Sequence, residues 1–221
     1  MADRLHYLEH LVQEAHRPWP NNRRLTIACH GHSVPAGYFA TPHVDTFAAY
    51  PHLWHVRLKE RFPHAVFNVI TTAIGGENAE TGAARFATDV LSLRPDLITI
   101  DYGLNDVGLG LQRTRSAWES MIAAALRAGA KVILLTPTWN AGAAAAGAKR
   151  ADALTEHARL TGELAASADV GLADPYAAFE RHLSAGGHLT DLLCWLNHPS
   201  RRGHELVVDE LTSWFPLLLP G

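Results

Sequence analysis

Leu25-Thr26-Ile27-Ala28-Cys29-His30-Gly31-His32-Ser33-Val34-Pro35-Ala36-Gly37 is the stretch from which the fold is read. Its apolar run, residues 25–29, has the character of a strand buried in a parallel sheet, and Pro35, Ala36 and Gly37 then turn the chain. Ser33 sits between the two. An open α/β sheet binds its ligands in the crevice at the carboxyl ends of its strands, so the position suits a nucleophile, although serine is also an ordinary loop residue.

Outward from this stretch the pattern repeats. Strand-like runs are expected at residues 25–29, 66–70, 97–102, 131–137 and 170–173, alternating with helix-like segments at 50–61, 79–93, 114–128 and 149–168. A last helix is expected over 200–214, with Pro216 and Pro220 ending it. Leu5, Leu8, Leu11, Val12 and Ala15 have helical spacing, which predicts a helical extension within residues 1–20, packed on the sheet. Such alternation implies a parallel sheet covered on both faces. No composition break resembles a linker and no internal repeat is visible, so residues 1–221 read as a single domain.

Composition narrows the function. Apolar residues make up 48% of the 221, enough for a sizeable core, and the formal charge of −3 argues against a nucleic-acid binder, which would present a basic face. The pairs Arg23-Arg24 and Arg201-Arg202 are too short to change that. There is no run of about 18 apolar residues to insert in a membrane, and the N-terminus lacks the parts of a signal peptide, so the chain reads as cytoplasmic. Cys29 and Cys194 suit buried thiols better than a disulfide framework. The 14 histidines, among them His30, His32, His43, His52, His55 and His64, show no metal-ligand spacing, and no metal is expected.

Other pieces with chemical potential also lie just past expected strands or in a terminal loop. These are Gly75-Gly76, then Gly103-Leu104-Asn105-Asp106, then Asn197-His198-Pro199. Residues 141–148, only alanine and glycine, either extend a helix or form a flap, in which case Trp139 and Asn140 would line the crevice.

Taken together, these blocks resemble the SGNH hydrolase superfamily, the GDSL-type esterases and lipases. Gly31-His32-Ser33-Val34 stands where the family has Gly, Asp, Ser, Leu; the segment 74–85, with Gly76, resembles its second block. Gly103-Leu104-Asn105-Asp106 matches the third, and His198-Pro199 with Gly203-His204 resembles the histidine block. The resemblance runs from residue 25 to about 210. It implies a flavodoxin-like three-layer α/β/α sandwich around a central parallel five-stranded sheet. It also implies a serine esterase that needs no cofactor, with Ser33 as nucleophile and His198 as base. The oxyanion hole would be the Ser33 and Gly76 N–H groups and the Asn105 amide. Glycine at 76 lets the main chain approach the substrate, and asparagine at 105 is a donor where aspartate is not. Small esters, acetylated carbohydrates among them, are the expected substrates. The alternatives are an acyltransferase using the same nucleophile, or a non-catalytic carbohydrate-binding relative that kept the fold.

Two departures from the family pattern stand out. His32 replaces the aspartate that usually precedes the serine. More seriously, the acid expected three residues before the histidine is Trp195, with Cys194 before it, and neither supplies a carboxylate. In the serine-protease triad, loss of the acid's proper hydrogen bond costs about 10⁴ in turnover through the wrong imidazole tautomer. Something must therefore orient His198, and the two candidates are the Trp195 carbonyl and the Asp191 carboxylate.

Overall fold

A computed structural model of the chain describes residues 2–142 and 148–217. At its centre is a five-stranded sheet in the order β2-β1-β3-β4-β5, with every pairing parallel. The strands are Arg24–Gly31 (β1), Val66–Thr71 (β2), Leu97–Asp101 (β3), Lys131–Leu135 (β4) and Gly171–Ala173 (β5). That order places the reversal of winding at β1 and β3, and the crevice of a doubly wound sheet opens there. Ser33 follows β1 directly.

Pleating sorts each strand's side chains onto two faces. Ile27 and Cys29 of β1 and Leu97 of β3 enter one core, with Tyr50, Trp54 and Leu58 of helix Tyr50–Arg61 (α3) and Val207, Val208 and Leu211 of helix Arg201–Thr212 (α10). Ala28, Ile98, Ile100, Val132 and Leu134 enter the other, under helices Ala79–Asp89 (α4), Leu111–Arg127 (α6) and Ala148–Ser167 (α7). The result is the expected three-layer α/β/α arrangement. Leu8, Leu11, Val12 and Ala15 also enter the first core, so the N-terminal helix Glu9–His16 (α1) packs on the α3 side.

Boundaries moved by a few residues. The fourth strand stops at Leu135 rather than 137, and α6 begins at Leu111 rather than 114. Three short helices at Ser33–Ala36 (α2), Gly103–Asp106 (α5) and Leu189–Leu192 (α9) fall in stretches read as loop, each four residues long. Helix Pro175–Ser184 (α8) was also unexpected, yet its start is legible. Asp174 accepts from the Ala177 N–H and Pro175 occupies the first turn, the usual opening of a helix. The flap proposed for 141–148 lies largely outside the described residues. Trp139, just before it, stacks on Tyr176 at 5.7 Å and packs beside Phe179, Leu192 and Leu193.

Candidate active site

Ser33 opens α2, and His198 sits in the loop before α10. The fold brings them together across 165 residues: His198 Nε2 lies 3.1 Å from Ser33 Oγ, with both side chains buried. The other ring nitrogen, Nδ1, is 2.7 Å from the main-chain oxygen of Phe39. A carbonyl only accepts, so Nδ1 carries the hydrogen and the neutral ring presents the lone pair of Nε2 to the serine hydroxyl. That is the tautomer a base for Ser33 requires.

Neither candidate orienter holds His198. Asp191 Oδ2 instead accepts from the His188 N–H at 2.8 Å and pairs with His182 Nε2 at 3.0 Å. It closes the first turn of α9, and these bonds keep its carboxyl below the usual range. Trp195 is half exposed and lines an open apolar pocket of about 410 Å³ with Leu189, Leu193 and Leu196. The partner of Nδ1 is instead a backbone carbonyl in the loop after Ser33, and residue type carries no signal for it.

His32 takes over one task of an aspartate. Its Nδ1 accepts the Val34 N–H at 3.1 Å, which caps the turn at Ser33. With Nδ1 accepting, Nε2 carries the hydrogen of the neutral ring and faces Asp101 Oδ1 at 3.5 Å, an electrostatic rather than a hydrogen-bonding separation. Both residues are buried. Burial lowers the His198 pKa, and the Phe39 carbonyl opposes that shift. The His198 ring is therefore neutral at pH 7.

The three expected oxyanion donors converge on the same strand ends. Gly76 has φ +82°, a left-handed conformation that glycine adopts without strain, in the loop between β2 and α4. Neither its N–H nor that of Ser33 donates to a protein acceptor among the described residues. One hydrogen of Asn105 Nδ2 is given to the Glu77 carbonyl at 2.7 Å. The other remains for a ligand, and the bond ties the amide to the Gly76 loop.

Supporting polar groups then fall into place. Arg85 Nε lies 3.0 Å from each Glu77 carboxylate oxygen, which clamps that loop onto α4. Asp106 accepts from the Ala79 N–H at 2.8 Å and from Trp118 Nε1 at 2.7 Å, and burial pushes its carboxyl up to about 6. Asn78 caps α4 through the Glu80 and Thr81 N–H groups. His204 is buried in α10, where its Nδ1 accepts from the Tyr50 N–H. Cys29 and Cys194 are free thiols. Among the described residues no His, Cys, Asp and Glu side chains are grouped to hold a metal, and no helix is long and apolar enough to cross a membrane.

Comparison with known proteins agrees with this fold. An acetylxylan esterase from Geobacillus stearothermophilus superposes with a TM-score of 0.76 at 19% identity, covering 88% of this chain and 95% of its own. A two-domain esterase active on acetylated mannans superposes with a TM-score of 0.75, also at 19% identity, over 95% of this chain and 52% of its own. Likeness at that identity speaks for the fold. No curated protein sequence matches the chain. Residues 29–206 match the GDSL-like Lipase/Acylhydrolase family, a span that holds every block from the Ser33 turn to His204, and the chain belongs to that family of carboxylic ester hydrolases.

Proposed function

We propose that the chain is a serine esterase that removes short acyl groups, acetyl above all, from carboxylic esters through an acyl-enzyme on Ser33. The observation that carries this reading is the Ser33–His198 contact, with the ring tautomer set by Phe39. Nε2 takes the hydroxyl proton as Oγ bonds to the ester carbon, and the carbonyl electrons move onto oxygen. The Ser33 and Gly76 N–H groups and the Asn105 amide meet that charge. Oxyanion donors of this kind contribute roughly 3 kcal/mol each where one has been removed. The tetrahedral centre collapses, the C–O bond to the alcohol breaks, and His198 returns its proton to the departing oxygen. Water then repeats the sequence on the acyl-enzyme and frees the acid.

Acetyl selectivity draws on the named activities of the structural neighbours, both of which act on acetylated polysaccharides. A fluorophosphonate probe tests the nucleophile. Stoichiometric labelling, abolished by Ser33→Ala and slowed by His198→Ala, supports the reading; a protein that hydrolyses no p-nitrophenyl ester and takes no label at any pH refutes it. Release of acetate from acetylated xylo-oligosaccharides tests the substrate class.

A further inference from the structure

Tyr38 ends the nucleophile's own turn. It follows Gly37, whose φ is +91°, and its N–H donates to the Ser33 carbonyl at 3.0 Å. An isolated antiparallel bridge to Val44 fixes it from the other side. The phenol is thus held at a set distance from Ser33 by backbone contacts, and its direction is set by what it touches.

On one side lies the base: the Tyr38 ring centroid is 6.1 Å from that of His198, with the planes tilted by 48°. On the other lies the oxyanion loop. A Cβ added at Gly75 would stand 2.7 Å from Tyr38 Cζ and 2.9 Å from its Cε2 and hydroxyl oxygen, so the phenol end rests directly on glycine backbone. One ring therefore spans from the base to the residue before Gly76, beside a serine that is itself buried. Tyr38 stays 40% exposed, open to whatever enters.

We infer that Tyr38 is a specificity-determining residue, the side wall that limits the acyl group accepted at Ser33 to a short one. This rests on the esterase reading above. With the nucleophile below the surface, a bulky alcohol such as a sugar stays at the mouth, and the acyl group is the part that must fit beside the wall. The Gly75 backbone stops the ring's outer end from retreating toward the oxyanion loop. One methylene too many in such a site costs roughly 10- to 200-fold in kcat/KM.

The test compares p-nitrophenyl acetate, butyrate and hexanoate on the wild-type chain and on Tyr38→Ala and Tyr38→Phe. Tyr38→Ala is expected to raise the butyrate-to-acetate ratio of kcat/KM at least tenfold, while Tyr38→Phe, which keeps the ring, leaves it near the wild-type value. Gly75→Ala should depress butyrate more than acetate by displacing the ring, and that excess should vanish in the Tyr38→Ala background. An unchanged ratio in Tyr38→Ala, whether or not overall activity falls, overturns the proposal. Failure of the esterase reading looks different: the wild-type chain would then hydrolyse none of the three esters and Ser33 would take no fluorophosphonate label.

Discussion

The Nδ1 of His198 meets the carbonyl oxygen of Phe39 at 2.7 Å, and this bond does for the imidazole what a carboxylate does in a serine triad. The carbonyl fixes the same tautomer, without the charge. Asp191, the nearest acid before His198 in sequence, is spent on His182 and the His188 N–H. Asp191→Asn should therefore leave kcat on p-nitrophenyl acetate within about threefold of wild type, against the roughly 10⁴ lost when a true triad acid is replaced. A thousandfold fall in a folded variant would show that Asp191 acts on the base after all.

A neutral base sets the pH profile. The His198 pKa is lowered, first by burial, so kcat/KM should rise along a single limb centred below 6.5 and stay level through pH 8. Asn at 32 keeps an oxygen to accept the Val34 N–H. With His32 a neutral acceptor, His32→Asn should leave the limb in place and the nucleophile's turn intact. His32→Leu removes the acceptor and leaves the buried N–H unpaired, a cost of about 1–3 kcal/mol that a thermal melt would read. A limb that moves to higher pH in His32→Asn would mean that His32 carries charge beside His198.

Residue type and spacing go far where function rests on side chains in sequence-local blocks. Ser33, Gly76, Asn105 and His198 each lie just past a strand-like run, and the parallel order of the sheet brings those ends to one edge. They fail where function rests on a backbone atom. Phe39 supplies its carbonyl from 159 residues away, and any residue there has one. Arg85 and Glu77 show the intermediate case: both are visible in the second block, but the ion pair depends on a loop turning back onto α4. Tyr38 carries no signal in the sequence, because an aromatic after a turn is usually packing, and only the Gly75 backbone beneath it sets it apart.

The Glu77–Arg85 clamp should matter to turnover more than to binding. It holds the segment that carries the Gly76 N–H and the carbonyl that anchors Asn105. Arg85→Ala is expected to lower kcat by about 10- to 100-fold with KM moved less than about threefold, since removing one oxyanion donor outright costs 10²–10³. Arg85→Lys should restore little, because a point charge cannot grip both carboxylate oxygens as the guanidinium fork does. A rise in KM at constant kcat would instead assign the pair to substrate binding.

Stability should fall steeply in mild acid. Burial lowers His30 and His157 to about 4 and His204 to about 3, while each titrates near 6.5 once unfolded. Between those values the unfolded chain takes up protons that the fold excludes, so stability present in full above pH 6.5 is lost as pH drops toward 4. Asp106 works against them: raised to about 6, it is protonated in the fold before it is in the unfolded chain, and so favours folding as pH falls. About three protons gained by the unfolded histidines, less about one held by folded Asp106, leave a net of about two. Each proton contributes about 1.4 kcal/mol per pH unit, so urea unfolding near pH 5 should show a slope of roughly 3 kcal/mol per unit. His157→Leu should lower that slope by about one proton's worth, because burial is the cause of its shift. A slope of zero between pH 4 and 6 would mean these imidazoles reach water without unfolding.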